Sequence, residues 1–263
     1  MPPAAAITIT TTRAIRLRES KVLTAPAVIA TSKPTASTII TTSVAARWIL
    51  IVLLAYRRVE ESSPKVVRRK SVTSTQDVAR ALPIGSVVVA EHQTAGRGRL
   101  NRRWESRPGT ALLVSFVLRP NPLLSLAAGV AAAEACGSDV RLKWPNDLLL
   151  RGAKVGGILV EAMAAKAICG IGINLTWAPE GAGRLNQDRD RLLDALRVKV
   201  ERWSSAKPEE VLARWRALSD TLGRRVRVEL SGKVVEGLAE DIGPDGELIV
   251  DGSPVTFGSV THL

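Results

Sequence analysis

The sequence predicts an α+β protein: a mixed β-sheet with flanking helices, followed by a small barrel of short strands. Three observations support this. Between Val66 and Asn174, apolar runs of strand length recur, bounded by glycine and proline. Between Gln187 and Leu222 the apolar residues shift to a spacing of three and four, the period of a helix buried on one side. From Arg225 onward the period changes again, to short strands broken by turn residues.

Taken in order, residues 1–64 come first. Residues 1–44 are rich in Thr, Ala, Ser and Ile, and no apolar period persists there. Through Arg58 a single acid, Glu19, stands against eight basic residues. Three readings compete: a mitochondrial or plastid transit peptide, a misassigned start that appends translated noncoding sequence, and a membrane anchor at Trp48–Tyr56. The last is short, because crossing a bilayer takes about 20 apolar residues. The expectation is a low-complexity basic segment outside the fold, with folded domains over 65–222 and 223–263.

Val66–Val72 reads as a strand. Ser74 or Thr75 caps a helix through Leu82, and Pro83-Ile84-Gly85 turns the chain into a strand at Ser86–Ala90. Ala111–Leu118 is an apolar strand between Gly109 and Pro120. Pro122–Cys136 is an Ala-rich helix ending at Gly137. Strands at Asp147–Leu150 and Gly156–Glu161 are joined by the turn Arg151-Gly152, and a strand at Ala167–Ile171 leads into Gly172-Ile173-Asn174.

Two helices follow. In Gln187–Ser204, Leu192, Leu193, Leu196, Val200 and Trp203 share a face. In Pro208–Leu222, proline holds the first position, Glu209-Glu210 follow, and Gly223 ends the helix. These stripes are core. Strands at Arg225–Leu230, Val234–Asp241, Glu247–Asp251 and Val255–Val260 complete the chain, separated by Ser231-Gly232, Gly243-Pro244-Asp245-Gly246 and Gly252-Ser253-Pro254.

The net charge of +12 would suggest a nucleic-acid or anionic-membrane surface. Its distribution argues against both. Residues 1–70 hold 12 Lys or Arg and 3 acids, whereas residues 71–263 hold 25 and 22. The globular part is nearly balanced, so its cations are concentrated for a ligand. Cys136 and Cys169 form no C-x-x-C pair and read as reduced core residues of a cytosolic protein. Two histidines, His92 and His262, cannot build a histidine metal site. The chemistry falls to Lys, Arg, Asp and Asn.

Those residues cluster in motifs. Gly96-Arg97-Gly98-Arg99, followed by Leu100-Asn101-Arg102-Arg103-Trp104, directly follows a strand. Glycine lets a loop change shape and approach a ligand, and arginine offers five donors that match phosphate or carboxylate oxygens. Further on come Lys143-Trp144-Pro145-Asn146-Asp147, then Lys154, then Gly156-Gly157-Ile158-Leu159-Val160-Glu161, then Gly170-Ile171-Gly172-Ile173-Asn174. Gly170-Ile171-Gly172 is no dinucleotide fingerprint, because no third glycine and no helix follow.

In order and spacing these motifs resemble those of biotin protein ligases, over about three quarters of the chain from Val66 on. The resemblance implies a catalytic domain related to class II aminoacyl-tRNA synthetases and an SH3-like C-terminal barrel. It also implies an activity with biotin and ATP, with Mg²⁺ as the cation. Biotin is activated as biotinyl-5′-AMP and then passed to one lysine of a biotin carboxyl carrier protein.

The roles the resemblance implies are as follows. Lys154 and Arg99 are catalytic, Lys154 meeting both the biotin carboxylate and the α-phosphate. Ser74, Thr75, Gln76 and Gln93 hold the biotin head group, with Gly96, Arg97, Gly98, Gly156, Gly157 and Gly172 shaping that site. Gln76 departs from the family's usual asparagine. Lys143, Asn146, Asp147 and Asn174 serve the nucleotide, and Trp104 stacks on adenine. Asp147 is also the candidate Mg²⁺ ligand or proton acceptor.

Members that repress transcription carry an N-terminal helix-turn-helix; no paired amphipathic helices are visible here, so no DNA binding and no membrane association are expected. A homodimer remains open, since several members dimerise through catalytic-domain strands. The alternative enzyme is a lipoate ligase or octanoyltransferase of the same fold, and the alternative outside enzymes is a nucleic-acid-binding protein.

Overall fold

The computed structural model describes residues 65–230 and 232–263, all within one compact unit. The segment 1–64, with its expected targeting or misassigned-start character, lies outside them. Among the described residues no helix is long and apolar enough to cross a membrane.

Seven strands form the main sheet: β1 (Val66–Val72), β2 (Val87–Gln93), β3 (Ala111–Leu118), β4 (Val140–Lys143), β5 (Asp147–Leu150), β6 (Ala153–Ala162) and β7 (Ala167–Asn174). Their order is β1-β2-β3-β7-β6-β5-β4. Only β1 and β2 run parallel, so the sheet is mixed, as expected. Five further strands, β8 (Arg225–Leu230), β9 (Lys233–Ile242), β10 (Leu248–Val250), β11 (Ser253–Val255) and β12 (Ser259–His262), form an antiparallel sheet in the order β11-β10-β9-β8-β12.

Alternation along the strands assigns the faces of the main sheet. Leu112, Val114 and Phe116 of β3, and Cys169, Ile171 and Ile173 of β7, enter the main core. Helices α2 (Leu124–Cys136), α3 (Arg189–Ser204) and α4 (Pro208–Leu218) cover that core. The opposite face carries the short helix α1 (Thr75–Ala79), which closes a small cluster of Ala79, Val88, Val117 and Ile168. The rest of that face is left for a ligand.

Several elements differ from their expected bounds. β2 continues to Gln93 because its edge pairs with β1 through Val72. β4 was not expected at all; it forms the first arm of a hairpin with β5. The strand expected over Ala167–Ile171 continues through Gly172-Ile173-Asn174. α4 stops at Leu218, not Leu222. Ser219 is extended and bridges to Leu142, and the Asp220 amide donates to the Leu142 carbonyl at 2.8 Å. Lying beside β4 satisfies the backbone there as well as another helical turn would.

α1 ends at Ala79, short of Leu82; the Lys166 ammonium caps the free carbonyls of Arg80 and Leu82. α3 begins at Arg189 because Asp188 caps it, accepting from the Arg191 amide. Pro254, expected in a turn, sits in edge strand β11, where a missing N–H does no harm. Cys136 and Cys169 are buried free thiols, each pushed up to about 12 by burial.

Candidate active site

A cleft of about 470 Å³ opens on the face of the sheet away from the main core. It has a neutral polar end and a cationic end.

The neutral end starts at α1. Ser74 caps the helix, its hydroxyl accepting from the Gln76 amide. That fixes Thr75 and Gln76 in the first turn, both buried. The Thr75 amide and hydroxyl donate to Gln93 Oε1 at 2.7 and 3.0 Å, and Ser115 donates to the Thr75 hydroxyl at 2.8 Å. Gln76 lies across Gly170: a Cβ there would sit 3.1 Å from Gln76 Cδ. Gln76 Oε1 is buried without a partner. A buried acceptor left unpaired costs free energy until a donor arrives, so this atom asks for an N–H.

The cationic end depends on a bulge. The register of β5 and β6 slips between Leu148 and Leu149, leaving Val155 as the extra residue. Lys154 and Gly157 are three apart and would face opposite ways in a regular strand; the bulge turns both toward the cleft. Lys154 Nζ then lies 2.6 Å from Asp147 Oδ1. Lys143 stands opposite Asp147 across the β4–β5 hairpin. Burial lowers the Lys143 pKa, Asp147 opposes that shift, and nearby Lys154 adds to it. Arg99 reaches in from the Gly-Arg loop and donates to Asn146 Oδ1 at 3.3 Å. Burial lowers its pKa too, with Asp147 opposing. Asn146 is itself held by β6, donating to the Ile158 carbonyl at 2.7 Å and accepting from the Ile158 amide at 2.9 Å. Three cations thus face one carboxylate.

The Gly-Arg loop folds back on itself. Trp104 N–H donates to the Gly96 carbonyl and Gly98 N–H to the Arg102 carbonyl. Leu100 and Asn101 at its tip are left-handed, with φ of 54° and 59°. Between the two ends, the Trp104 ring lies on Gly172; a Cβ at Gly172 would be 2.6 Å from it. The indole Nε1 is buried without a partner.

Not every expected residue faces the cleft. Ser74, Thr75, Gln76, Gln93, Arg97, Gly98, Arg99, Trp104, Lys143, Asn146, Asp147, Lys154, Gly157 and Gly172 line it; Gly96, Gly156 and Asn174 do not. Gly156 faces the core, where a Cβ would be 2.8 Å from Leu148 Cδ1, and Gly96 lets the loop close against the Trp104 carbonyl. Asn174 donates to the Gly183 carbonyl at 3.0 Å. Arg97 lines the cleft, but its guanidinium pairs with Asp77 at 2.7 Å and Glu161 at 3.2 Å. That anchors the loop to α1 and β6.

Sequence reasoning missed one wall. Glu229, Gly258, Ser259, Val260 and Thr261 of the five-stranded sheet close the cationic end, and Arg102 reaches across to donate to Ser259 at 2.9 Å. The adjacent basic pair Arg102-Arg103 was the only visible hint; a barrel strand carries no mark of which neighbour it faces.

The fold and cleft define a protein of the biotin/lipoate A/B protein ligase family, which matches residues 64–176; the biotin protein ligase C-terminal domain matches residues 221–260. The chain belongs to the biotin protein ligases within that family. It is 36% identical over 235 residues to the biotin–[acetyl-CoA-carboxylase] ligase of Mycobacterium tuberculosis, covering 75% of this chain and 88% of that one. It is 33% identical to the bifunctional ligase/repressor BirA of Escherichia coli, covering 65% of this chain and 63% of that protein. Among solved structures, the biotin protein ligase of Aquifex aeolicus in complex with biotin and ATP superposes with a TM-score of 0.67 at 26% identity, covering 76% of this chain and 98% of that one.

Proposed function

We propose that this chain is an ATP-dependent biotin protein ligase. The observation that carries the reading is a single cleft, in a member of this family, with buried amides and hydroxyls at one end and three cations at the other. Residues 65–222 form the catalytic domain and 223–263 an SH3-like domain that closes the cationic end.

In this reading the ureido head group of biotin sits against Ser74, Thr75, Gln76 and Gln93, its N–H meeting Gln76 Oε1. Its carboxylate reaches Lys154 at the middle of the cleft. ATP places its α-phosphate beside Lys154 and Arg99, with Lys143 and Asn146 on the nucleotide side and Trp104 against adenine. A carboxylate oxygen attacks the α-phosphorus, the bond to the bridging oxygen breaks, and pyrophosphate leaves. Two anions approach one another here, so fixed cations lower the barrier and orientation does much of the rest. In the second step the carrier lysine amine attacks the activated carbonyl and AMP leaves. Asp147 receives the amine proton.

Among the described residues no three His, Cys, Asp or Glu side chains form a metal cluster. A lone Asp147 fits Mg²⁺, which ordinarily binds one or two carboxylates together with substrate phosphates. When bound, the ion neutralises phosphate charge. Lipoate fits less well: its dithiolane has no N–H or carbonyl to pair with the buried amides. The reaction suits a cytoplasmic protein whose partner is the carrier domain of a biotin-dependent carboxylase. DNA has no part in it.

The test is a mass-spectrometric search for acyl-adenylate after incubation with ATP, Mg²⁺ and either biotin or lipoate. Biotinyl-adenylate alone is expected. Lipoyl-adenylate alone, or neither from folded protein, overturns the reading.

A further inference from the structure

His262 has no place in the chemistry above, yet its side chain is only 16% exposed. It belongs to β12, the strand whose neighbouring residues close the cationic end of the cleft. Its Nε2 lies 3.2 Å from the Thr221 hydroxyl. Thr221 is fully buried, and its hydroxyl accepts from the Trp144 amide at 3.0 Å. That bond places the relay one residue from Lys143. On the other side of Lys143, the Leu142 carbonyl accepts from the Asp220 amide at 2.8 Å. The backbone that presents Lys143 is therefore clamped on both sides by the linker Ser219–Leu222, and His262 backs that linker.

The Thr221 oxygen accepts from the Trp144 amide, which leaves its own hydrogen free to donate to an acceptor. His262 Nε2 can serve only when the ring is neutral with its proton on Nδ1, and Nδ1 lies 3.7 Å from Asp220 Oδ2. Burial lowers the His262 pKa and nearby Lys143 lowers it further, while Asp220 opposes and Arg224 adds to the fall. The neutral ring is thus the form that this surrounding favours.

We propose that His262 is a positioning residue for nucleotide activation: through Thr221 it fixes the Trp144 backbone, and with it Lys143 and Asp147, at the cationic end of the cleft. The reach of this bond is local. The hairpin β4–β5 turns at Trp144-Pro145-Asn146, and both arms of that turn carry nucleotide-side residues. The indole of Trp144 makes a second bond, donating to the Gly246 carbonyl in the β9–β10 turn at 3.0 Å. The linker and the β9–β10 turn therefore hold this hairpin turn at two points, and His262 backs the first of them. The neutral end of the cleft shares no bond with the relay.

The proposal rests on the ligase reading for its kinetic consequence but not for its structural one, so two measurements are paired. In His262→Ala, the KM for ATP rises and biotinyl-adenylate formation falls, together by roughly ten- to a hundredfold. Calorimetric affinity for biotin without ATP stays within about twofold, as for a distant independent site. His262→Gln, whose Oε1 can accept from Thr221, restores most of the loss. Hydrogen exchange rises at the amides of Lys143, Trp144, Asn146 and Asp147 in His262→Ala and not in β3 or β7. Unchanged kinetics and exchange overturn the proposal, as does equal loss of biotin affinity, which would mean that His262 supports the whole fold. If the wild-type chain forms no adenylate, the ligase reading fails, and the exchange pattern alone decides whether His262 positions this turn.

Discussion

At its neutral end the cleft is built by Ser74–Gln76 and Gln93, eighteen residues apart and hydrogen-bonded to one another before any ligand arrives. At its cationic end it is built by the Gly-Arg loop, the β4–β5 hairpin, the bulge of β6 and a wall from a different sheet. The first end lies within one sheet face and is almost satisfied, with Gln76 Oε1 as its open acceptor. The second is assembled from two sheets and carries more positive charge than Asp147 balances. One end is finished before the ligand binds; the other awaits a polyanion. Changes at the neutral end should therefore move biotin affinity, and changes at the cationic end should move the use of ATP and the rate of adenylation.

The largest effect tests that division directly. Lys154→Ala or Arg99→Ala should slow adenylation by roughly 10²–10³-fold, the scale for losing one preorganised charge stabiliser. Rapid-quench measurement of biotinyl-adenylate reads this. Nearly normal rates in both variants would sink the assignment while leaving the fold intact.

The next effect lies between the ends. Gly172→Ala places a methyl 2.6 Å from the Trp104 ring, which must leave the floor. The same change at Gly157 meets only ordinary contacts, the nearest at 3.6 Å. Gly172→Ala should lower kcat/KM about a hundredfold, and Gly157→Ala should remain close to wild type. Equal tolerance at both positions would show that the ring position has no bearing on the reaction.

At the neutral end, Gln76→Leu should raise the KM for biotin by roughly ten- to a hundredfold, the loss of one or two buried hydrogen bonds, with little change in kcat. Thermal stability should change little, because the substitution removes an unpaired buried oxygen together with the Nε2 donor that reaches the Leu159 carbonyl at 3.4 Å. A fall in stability with unchanged KM would reverse the roles.

The same contrast explains what could be read beforehand. β3, β5 and β8 match their expected bounds, because each is an apolar or alternating run closed by turn residues; β1 matches as well, although its centre is the basic run Arg68-Arg69-Lys70. The neutral end was legible too: a serine cap fixes which residues follow it into the first turn. β4 was hidden, because Val140–Lys143 is short and carries two charges, and only pairing with β5 makes it a strand. Gly156 and Gly157 could not be told apart by motif. A bulge shifts the phase, and a bulge is a property of the pairing. The barrel wall and His262 lay beyond local pattern altogether, since their meaning comes from which sheet packs on which.

The smallest effect on activity should come from a charge cluster behind the sheet. Glu134 of α2 accepts from Lys199 at 2.8 Å and Trp203 at 3.2 Å of α3, and from Arg214 at 2.8 Å in the next helix. Burial raises its pKa, but these three donors outweigh that and hold the carboxyl down at about 2. A depressed carboxyl stabilises the fold above its unfolded pKa. Screened by solvent at the partly exposed Lys199 and Arg214, the contribution is on the order of 1–2 kcal/mol. It is present at neutral pH and drains away as pH falls from the ordinary glutamate value of 4.5 toward about 2. Glu134→Gln should lower Tm at pH 7, and the gap to wild type should close as pH drops through that window. Adenylation by the folded variant should stay near normal, since all three donors lie behind the sheet. A loss of rate larger than the loss of folded protein would mean that the helical layer and the cleft are coupled, and the division of labour between the two ends would need a third partner.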